Sequence, residues 1–163
     1  MKLATSFCLL AGLLAFADEP KNLLKPTNKV DSWRWEEHEG AKGEIKADGD
    51  ALVLRATKIT GTDWHLQAVQ TGLDLKEGQT YILKFQAKCD SSCLIGVNAM
   101  IDQEDWHQVG LGEQLTLGKE YREYEFRFRA TDVVSKKNRI SVVVGFEPGT
   151  VSLKDMTLVE KTE

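Results

Sequence analysis

Helical periodicity is nearly absent from this chain. No segment sustains apolar residues at three-and-four spacing for ten residues, so helices have little room in the fold. Basic charge is also in short supply. The 163 residues carry 21 Lys and Arg against 25 Asp and Glu, a net charge of −4. Nucleic acid is therefore not an expected partner, because its capture rests on basic groups that neutralise phosphates. After Phe16 no apolar run is long enough to cross a bilayer. The usual catalytic signatures are missing as well. There is no serine in a nucleophile elbow, no HExxH pattern and no unpaired cysteine beside a histidine after residue 17. A glycosidase would need two carboxylates facing each other across a cleft. Asp102, Glu104, Asp105 and Glu113 offer carboxylates, but on a segment that reads as a mobile loop. Neither catalysis nor a cofactor is expected. No repeat, low-complexity tract or interdomain linker breaks the chain.

What is present begins with a leader. Lys2 supplies a thin positive start, Leu3 to Phe16 is apolar apart from Thr5 and Ser6, and Ala15-Phe16-Ala17 offers the small residues that a signal peptidase reads. Asp18-Glu19-Pro20 then switches abruptly to polar sequence. Residues 1–17 are expected to be a cleaved signal peptide, and 18–163 a single domain, monomeric and free of the membrane. The destination is outside the cell or the periplasm. Taking Lys2 from the 21 basic residues leaves 20 against 25 acidic ones. Cys8 falls in the leader, which leaves Cys89 and Cys93. An even cysteine count in an exported chain predicts a disulfide, here closing a short loop around Asp90-Ser91-Ser92. A redox pair would want Cys-x-x-Cys spacing, and a zinc site would want two more ligands nearby.

The rest reads as short strands separated by Gly, Asp and Asn. They are predicted at Trp33–Glu37, Gly43–Ala47, Ala51–Ala56, His65–Gln70, Thr80–Lys88, Leu94–Met100, His107–Leu111, Glu123–Ala130, Arg139–Gly145 and Val151–Val159. Asp48-Gly49-Asp50 reads as a hairpin turn, since glycine supplies a positive φ. Phe126-Arg127-Phe128-Arg129 alternates aromatics inward with arginines outward. Val142, Val143 and Val144 are apolar on both faces, as a central strand would be. Many short strands with turn residues between them predict an all-β fold: a two-sheet antiparallel sandwich or a barrel. Trp33 and Trp35 are assigned to the core. The cluster Glu36-Glu37-His38-Glu39 is read as a solvated edge rather than a metal site.

The most pointed stretch is residues 64–88. It opens with Trp64 and carries Gln67 and Gln70 where a buried strand would want neither. A turn at Glu77-Gly78 follows, then the alternation Tyr81, Leu83, Phe85, Ala87. Trp64-x-x-Gln67 and Gly78-Gln79-Thr80-Tyr81-x-Leu83-x-Phe85-x-Ala87-Lys88 resemble the carbohydrate-binding module superfamily of families 4, 9 and 22. The resemblance continues through Val97–Trp106, Tyr124-x-Phe126-x-Phe128, Arg139–Gly145 and Gly149–Leu158, and it covers roughly residues 21–160. It implies a jelly-roll sandwich with one concave open face that binds a poly- or oligosaccharide and does no chemistry. The family often carries a structural calcium ion near its termini. Here Lys154-Asp155 stands where a pair of acids would, and no acid follows Asn22-Leu23. No metal is expected.

The resemblance and the residues together nominate a site. Trp64 is either a stacking platform or a rim residue over the core. If Leu66 faces the core, alternation turns Gln67 and His65 onto the open face, where an amide both donates to and accepts from hydroxyls. Trp106 follows the acidic loop 102–105 and is poorly explained as core, so it is paired with Trp64 across a sugar ring. Asn98 is a polar residue in an apolar strand, either a ligand contact on the groove floor or an internally satisfied group. Arg139 either reaches a sugar hydroxyl or makes a surface ion pair. The alternative to glycan binding is an extracellular structural or protein-interaction sandwich, in which both indoles would be buried.

Overall fold

The computed structural model describes residues 20–161; the segment read as a leader, residues 1–17, lies outside them. Ten strands form: β1 Arg34–Glu37, β2 Lys42–Asp48, β3 Ala51–Lys58, β4 Leu66–Leu73, β5 Thr80–Cys89, β6 Cys93–Ile101, β7 Gln108–Leu117, β8 Arg122–Arg129, β9 Asn138–Val143 and β10 Gly149–Glu160. They pair antiparallel into two five-stranded sheets, ordered β1-β4-β9-β6-β7 and β2-β3-β10-β5-β8. The fold is the expected two-sheet sandwich of the jelly-roll type.

Alternation decides which side chains meet between the sheets. On β5, Tyr81, Leu83, Phe85 and Ala87 point inward and are fully buried, while the residues between them face out. They meet Leu52 and Leu54 from β3, Ile95, Val97 and Ala99 from β6, and Ile140 and Val142 from β9. Each large aliphatic or aromatic side chain so buried stabilises the fold by roughly 1.5–3 kcal/mol, an upper bound because the unfolded chain already hides part of that surface. Tyr81 keeps its hydroxyl satisfied by accepting from the Lys76 amide at 3.0 Å. β9 is the central strand of its sheet and is buried along its whole length.

The opening segment is stitched to the last strand. Asn22 Oδ1 accepts from the amides of Leu24 and Leu158 at 3.0 and 2.9 Å. β10 slips register between Lys154 and Thr157, where Asp155 takes a φ of 50°. This bulge frees the Met156 amide to donate to Thr27 Oγ1 at 2.7 Å. Thr27 in turn accepts the Trp33 indole N–H on its carbonyl at 2.9 Å. Lys154 is engaged elsewhere: its ammonium sits 2.7 Å from Asp50 and 4.6 Å above the Tyr121 ring.

Cys89 ends β5 and Cys93 begins β6, so their disulfide ties one sheet to the other with a Cα separation of 6.0 Å. Both cysteines are buried. Gly149 has to be a glycine here, because a Cβ would lie 2.8 Å from Cys93 Sγ.

Most strand boundaries shift from expectation, β9 for one ending at Val143 rather than Gly145, and three of the shifts have a visible cause. Trp33 precedes β1 as the cap of a 3-10 turn and is buried, while Trp35 is only partly so. β4 begins at Leu66, because Asp63–His65 forms a 3-10 turn of its own. β7 runs to Leu117, well past the expected Leu111, since its second half keeps pairing with β6 up to Cys93 opposite Leu117.

Candidate functional site

The register of the five-stranded sheet β1-β4-β9-β6-β7 fixes which side chains line up across its outer face. One row runs Glu36, Gln67, Val143, Gly96, Gln114, and the next runs Arg34, Val69, Ser141, Asn98, Gly112. Beside them Arg139 pairs with Met100, and Met100 with Gln108. Small or absent side chains at Val143, Gly96 and Gly112 keep the middle of this face low. Over it lies an open cavity of about 500 Å³, lined by Glu36, Gln67, Asn98, Arg139 and both Trp64 and Trp106. Among the described residues these two tryptophans are the large apolar side chains left exposed, at 50% and 47%. Exposed indoles are uncommon unless they face a partner.

Trp64 is held by packing. It rides on the 3-10 turn ahead of β4, where its amide donates to Asp63 Oδ1 at 2.8 Å and its carbonyl accepts from Gln67 Nε2 at 3.1 Å. The His65 ring meets its indole edge-on at 4.3 Å, and His38 lies 5.5 Å away. Gly145 packs under the turn: a Cβ there would collide with the Asp63 carbonyl. Its missing side chain lets Trp64 sit where it does.

Trp106 is held by charge. It lies in the β6–β7 connection, with Asp105 and Trp106 at φ values of 90° and 49°. Its indole rests 4.9 Å from the Arg139 guanidinium, a cation–π contact. Arg139 is 4% exposed, and its Nη1 lies 3.5 Å from both Glu36 and Asp102. Burial pulls its pKa down and the two carboxylates pull it back up; an arginine stays charged through such a shift. Arg34 closes the network, holding Asp102 two-pronged at 2.6 and 3.1 Å and Glu36 at 2.7 Å. That grip keeps the Asp102 carboxyl below the usual carboxylate range and the Arg34 guanidinium above its ordinary value. Two cations and two anions thus cancel on the groove wall. Arg139 Nε is buried with no partner among the described residues.

The floor is polar. Asn98 accepts from Gln108 Nε2 at 3.2 Å and reaches Ser141 Oγ only at 3.5 Å, so its amide is loosely engaged. Gln67 is almost fully buried with its amide nitrogen committed to Trp64, which leaves the amide oxygen for another partner. Such a face offers flat stacking surfaces and a few directed hydrogen-bonding groups.

Of the residues expected in the site, Trp64, Gln67, Asn98, Trp106 and Arg139 come together around one cavity. His65 does not. It belongs to the 3-10 turn rather than to β4, is buried, and turns its Nδ1 to Thr60 Oγ1 at 2.7 Å. It braces Trp64 from behind. The choice left open for Arg139 resolves as an ion pair, but a buried one on the groove wall. The charge cluster also departs from the solvated edge expected of it. Glu36 and His38 line the groove, while Glu37 turns to Lys42 at 2.8 Å and to the Gly43 amide at 2.9 Å. Gln108, which follows Trp106, lines it too, as do Asp63, Met100 and Val143, which were not nominated. Period two on β1 carried a usable signal: with Trp35 turned inward, Arg34 and Glu36 must share the outer face. Met100 gave no comparable cue, because only the register of β6 with β7 and β9 brings it there.

The family described as "Carbohydrate binding domain" matches residues 22–150 of the chain. No match was found among curated protein sequences. Among solved structures, a module designated CBM4 superposes with a TM-score of 0.74 at 21% identity, covering 88% of this chain and 96% of its own. The N-terminal cellulose-binding domain of Cellulomonas fimi beta-1,4-glucanase C gives 0.66 at 17% identity, with 89% and 99% covered. A family 11 carbohydrate-binding module from Clostridium thermocellum, solved with a beta-1,3-1,4-mixed-linked tetrasaccharide, gives 0.62 at 16% identity, with 87% and 96% covered.

Proposed function

Because the chain belongs to the carbohydrate binding domain family, we propose that it captures a glycan, without catalysis, in the groove between Trp64 and Trp106. One observation carries this reading: the two large apolar side chains left in solvent border the same cavity from different elements. In a sandwich serving only structure, both indoles would be expected in the core. Sugar rings present apolar C–H faces that stack on indoles. Their hydroxyls would meet the Gln67 amide oxygen and the Asn98 amide. Such hydrogen bonds replace water at little net gain, so the aromatic contacts carry most of the affinity. His65 enters this account as a brace for Trp64 and not as a ligand contact.

Export belongs to the same reading. Residues 1–17 act as a cleaved leader, and the Cys89–Cys93 disulfide suits an oxidising compartment, extracellular or periplasmic. The domain works as a monomer that presents one binding face.

The test is calorimetric. A glycan array selects the best ligand, starting from cellulose oligosaccharides and the mixed-linked tetrasaccharide of the neighbouring structure. Titration of the wild type should show binding, and Trp106→Ala should weaken it by about 2 kcal/mol, as for an aromatic hot spot, with the melting temperature unchanged. Binding that ignores both tryptophans would move the site elsewhere.

A further inference from the structure

Both ring nitrogens of His107 face acceptors. Nδ1 lies 2.8 Å from Asp105 Oδ2, and Nε2 lies 2.8 Å from the main-chain oxygen of Asp132. A neutral imidazole carries one N–H and one lone pair. It could satisfy one of these acceptors and would turn a lone pair on the other. Only the imidazolium donates to both.

The position of this bridge gives it a role. Asp105 and His107 are the two chain neighbours of Trp106, so their side chains are joined around the groove's second indole. Asp105 and Trp106 both hold left-handed backbone, which non-glycine residues keep only when the surroundings impose it. The far end of the bridge is anchored in the β8–β9 connection. That segment is itself tied down, with the Asp102 amide donating to the Lys137 carbonyl at 2.6 Å and the Thr131 amide to the Val109 carbonyl at 3.4 Å.

We propose that protonated His107 is the positioning residue of the Trp106 platform, so that the module grips its glycan while the ring is charged and releases it as the proton leaves. The inference rests on the glycan reading above. The Asp132 carbonyl first, and the Asp105 carboxylate second, hold the His107 pKa above the ordinary imidazole value. The carboxylate charges of Asp105, from its own loop, and of Asp132, from the loop across, act in the same direction, against a small opposing pull from burial. The sign follows from the direction. The clamp is complete below the ordinary imidazole pKa of about 6.5 and is lost as pH rises through the raised value.

The experiment measures affinity for an uncharged ligand, the mixed-linked tetrasaccharide, from about pH 6 to about pH 9, a window that brackets imidazole ionisation. In parallel, NMR follows the His107 ring and the Trp106 indole N–H without ligand. Affinity should fall roughly fivefold to tenfold across this range, a part of the roughly thirtyfold that losing a hot-spot aromatic costs. The Trp106 signal should move with the His107 midpoint. His107→Gln should bind at the weak, high-pH level throughout. His107→Arg, a permanent cation with several donors, should keep tight binding with no pH dependence. Wild-type affinity that is flat with pH, or His107→Gln binding as tightly as the wild type at low pH, overturns the proposal and leaves glycan binding intact. If the wild type binds no glycan at any pH, the glycan reading fails instead. The ligand-free titration then decides alone: a Trp106 signal that tracks His107 supports the positioning role, and one that ignores it overturns it.

Discussion

The two walls of the groove present the same side chain by different physics. Trp64 stands on a turn packed against His65, tied to Gln67 and seated on Gly145. No ion pair appears among those contacts, although the Asp63 carboxylate accepts the Trp64 amide and the His38 ring lies near the indole. Trp106 stands on left-handed backbone over a buried guanidinium, between an aspartate and a histidine. Packing forces are short-ranged and indifferent to pH and salt. Charge–charge contacts are screened when exposed and titrate with their partners. The comparison teaches that one wall is fixed and the other conditional, although both indoles are exposed to about the same degree.

Removing the charge beneath Trp106 should break the comparison hardest. Arg139→Met keeps volume but leaves Glu36 and Asp102 facing one fewer cation. Breaking a buried pair by deleting one partner costs roughly 3–5 kcal/mol. Arg34 still holds both carboxylates, so the lower end is expected in urea unfolding, together with a displaced Trp106 and an unmoved Trp64. Stability equal to wild type would show the network to be ornamental.

Gly145→Ala attacks the other wall. The added methyl would meet the Asp63 carbonyl, and overpacking of this kind costs about 1–3 kcal/mol. Its mark should be a shifted Trp64 indole resonance with Trp106 unperturbed. If Trp106 moves as much, the walls are coupled and the contrast fails.

Reducing the disulfide should spare both walls. The bridge lies at the β5–β6 connection, apart from the groove residues, and closes a loop of only three residues. Chain entropy puts its contribution at about 2 kcal/mol or less. The melting temperature should fall modestly under reductant, with glycan affinity preserved. Unreduced mass spectrometry of exported material should show no alkylatable thiols after residue 17.

The smallest effect expected is that of calcium. Lys154, committed to Asp50 and the Tyr121 ring, occupies the place where the family would put a cation ligand. A metal that bound the folded state would raise the melting temperature with its concentration. Millimolar calcium or a chelator should leave it nearly unchanged. A rise of many degrees, reversed by chelation, would contradict this.

The fold was legible because period two is written plainly into the chain. Tyr81-x-Leu83-x-Phe85-x-Ala87 has one reading, and Val142 and Val143 sit in the central strand of their sheet, though Val144 lies just past its end. The cysteine pair was equally readable from its count and its place between two strands. Site residues were legible when their type was out of place, as with two exposed tryptophans and a glutamine in a strand. His65 was misplaced because alternation was extended one residue too far, into a turn that only the contacts of Asp63 and Gly145 create. Glu36 was lost in a run of charges that looked solvated. Its burial depends on Arg34, on Asp102, 66 positions beyond Glu36, and on Arg139 further still, which no local pattern announces. The role of His107 needed two acceptors from two loops.

The central claim is that both walls close on one glycan. An NMR titration of the mature domain with the mixed-linked tetrasaccharide tests it most directly, because four indole N–H signals report on four tryptophans at once. Trp64 and Trp106 should shift together, with one saturation curve, while buried Trp33 and half-buried Trp35 stay still. Saturable binding that moves neither Trp64 nor Trp106, with shifts gathered on the β2-β3-β10-β5-β8 face instead, would contradict the account.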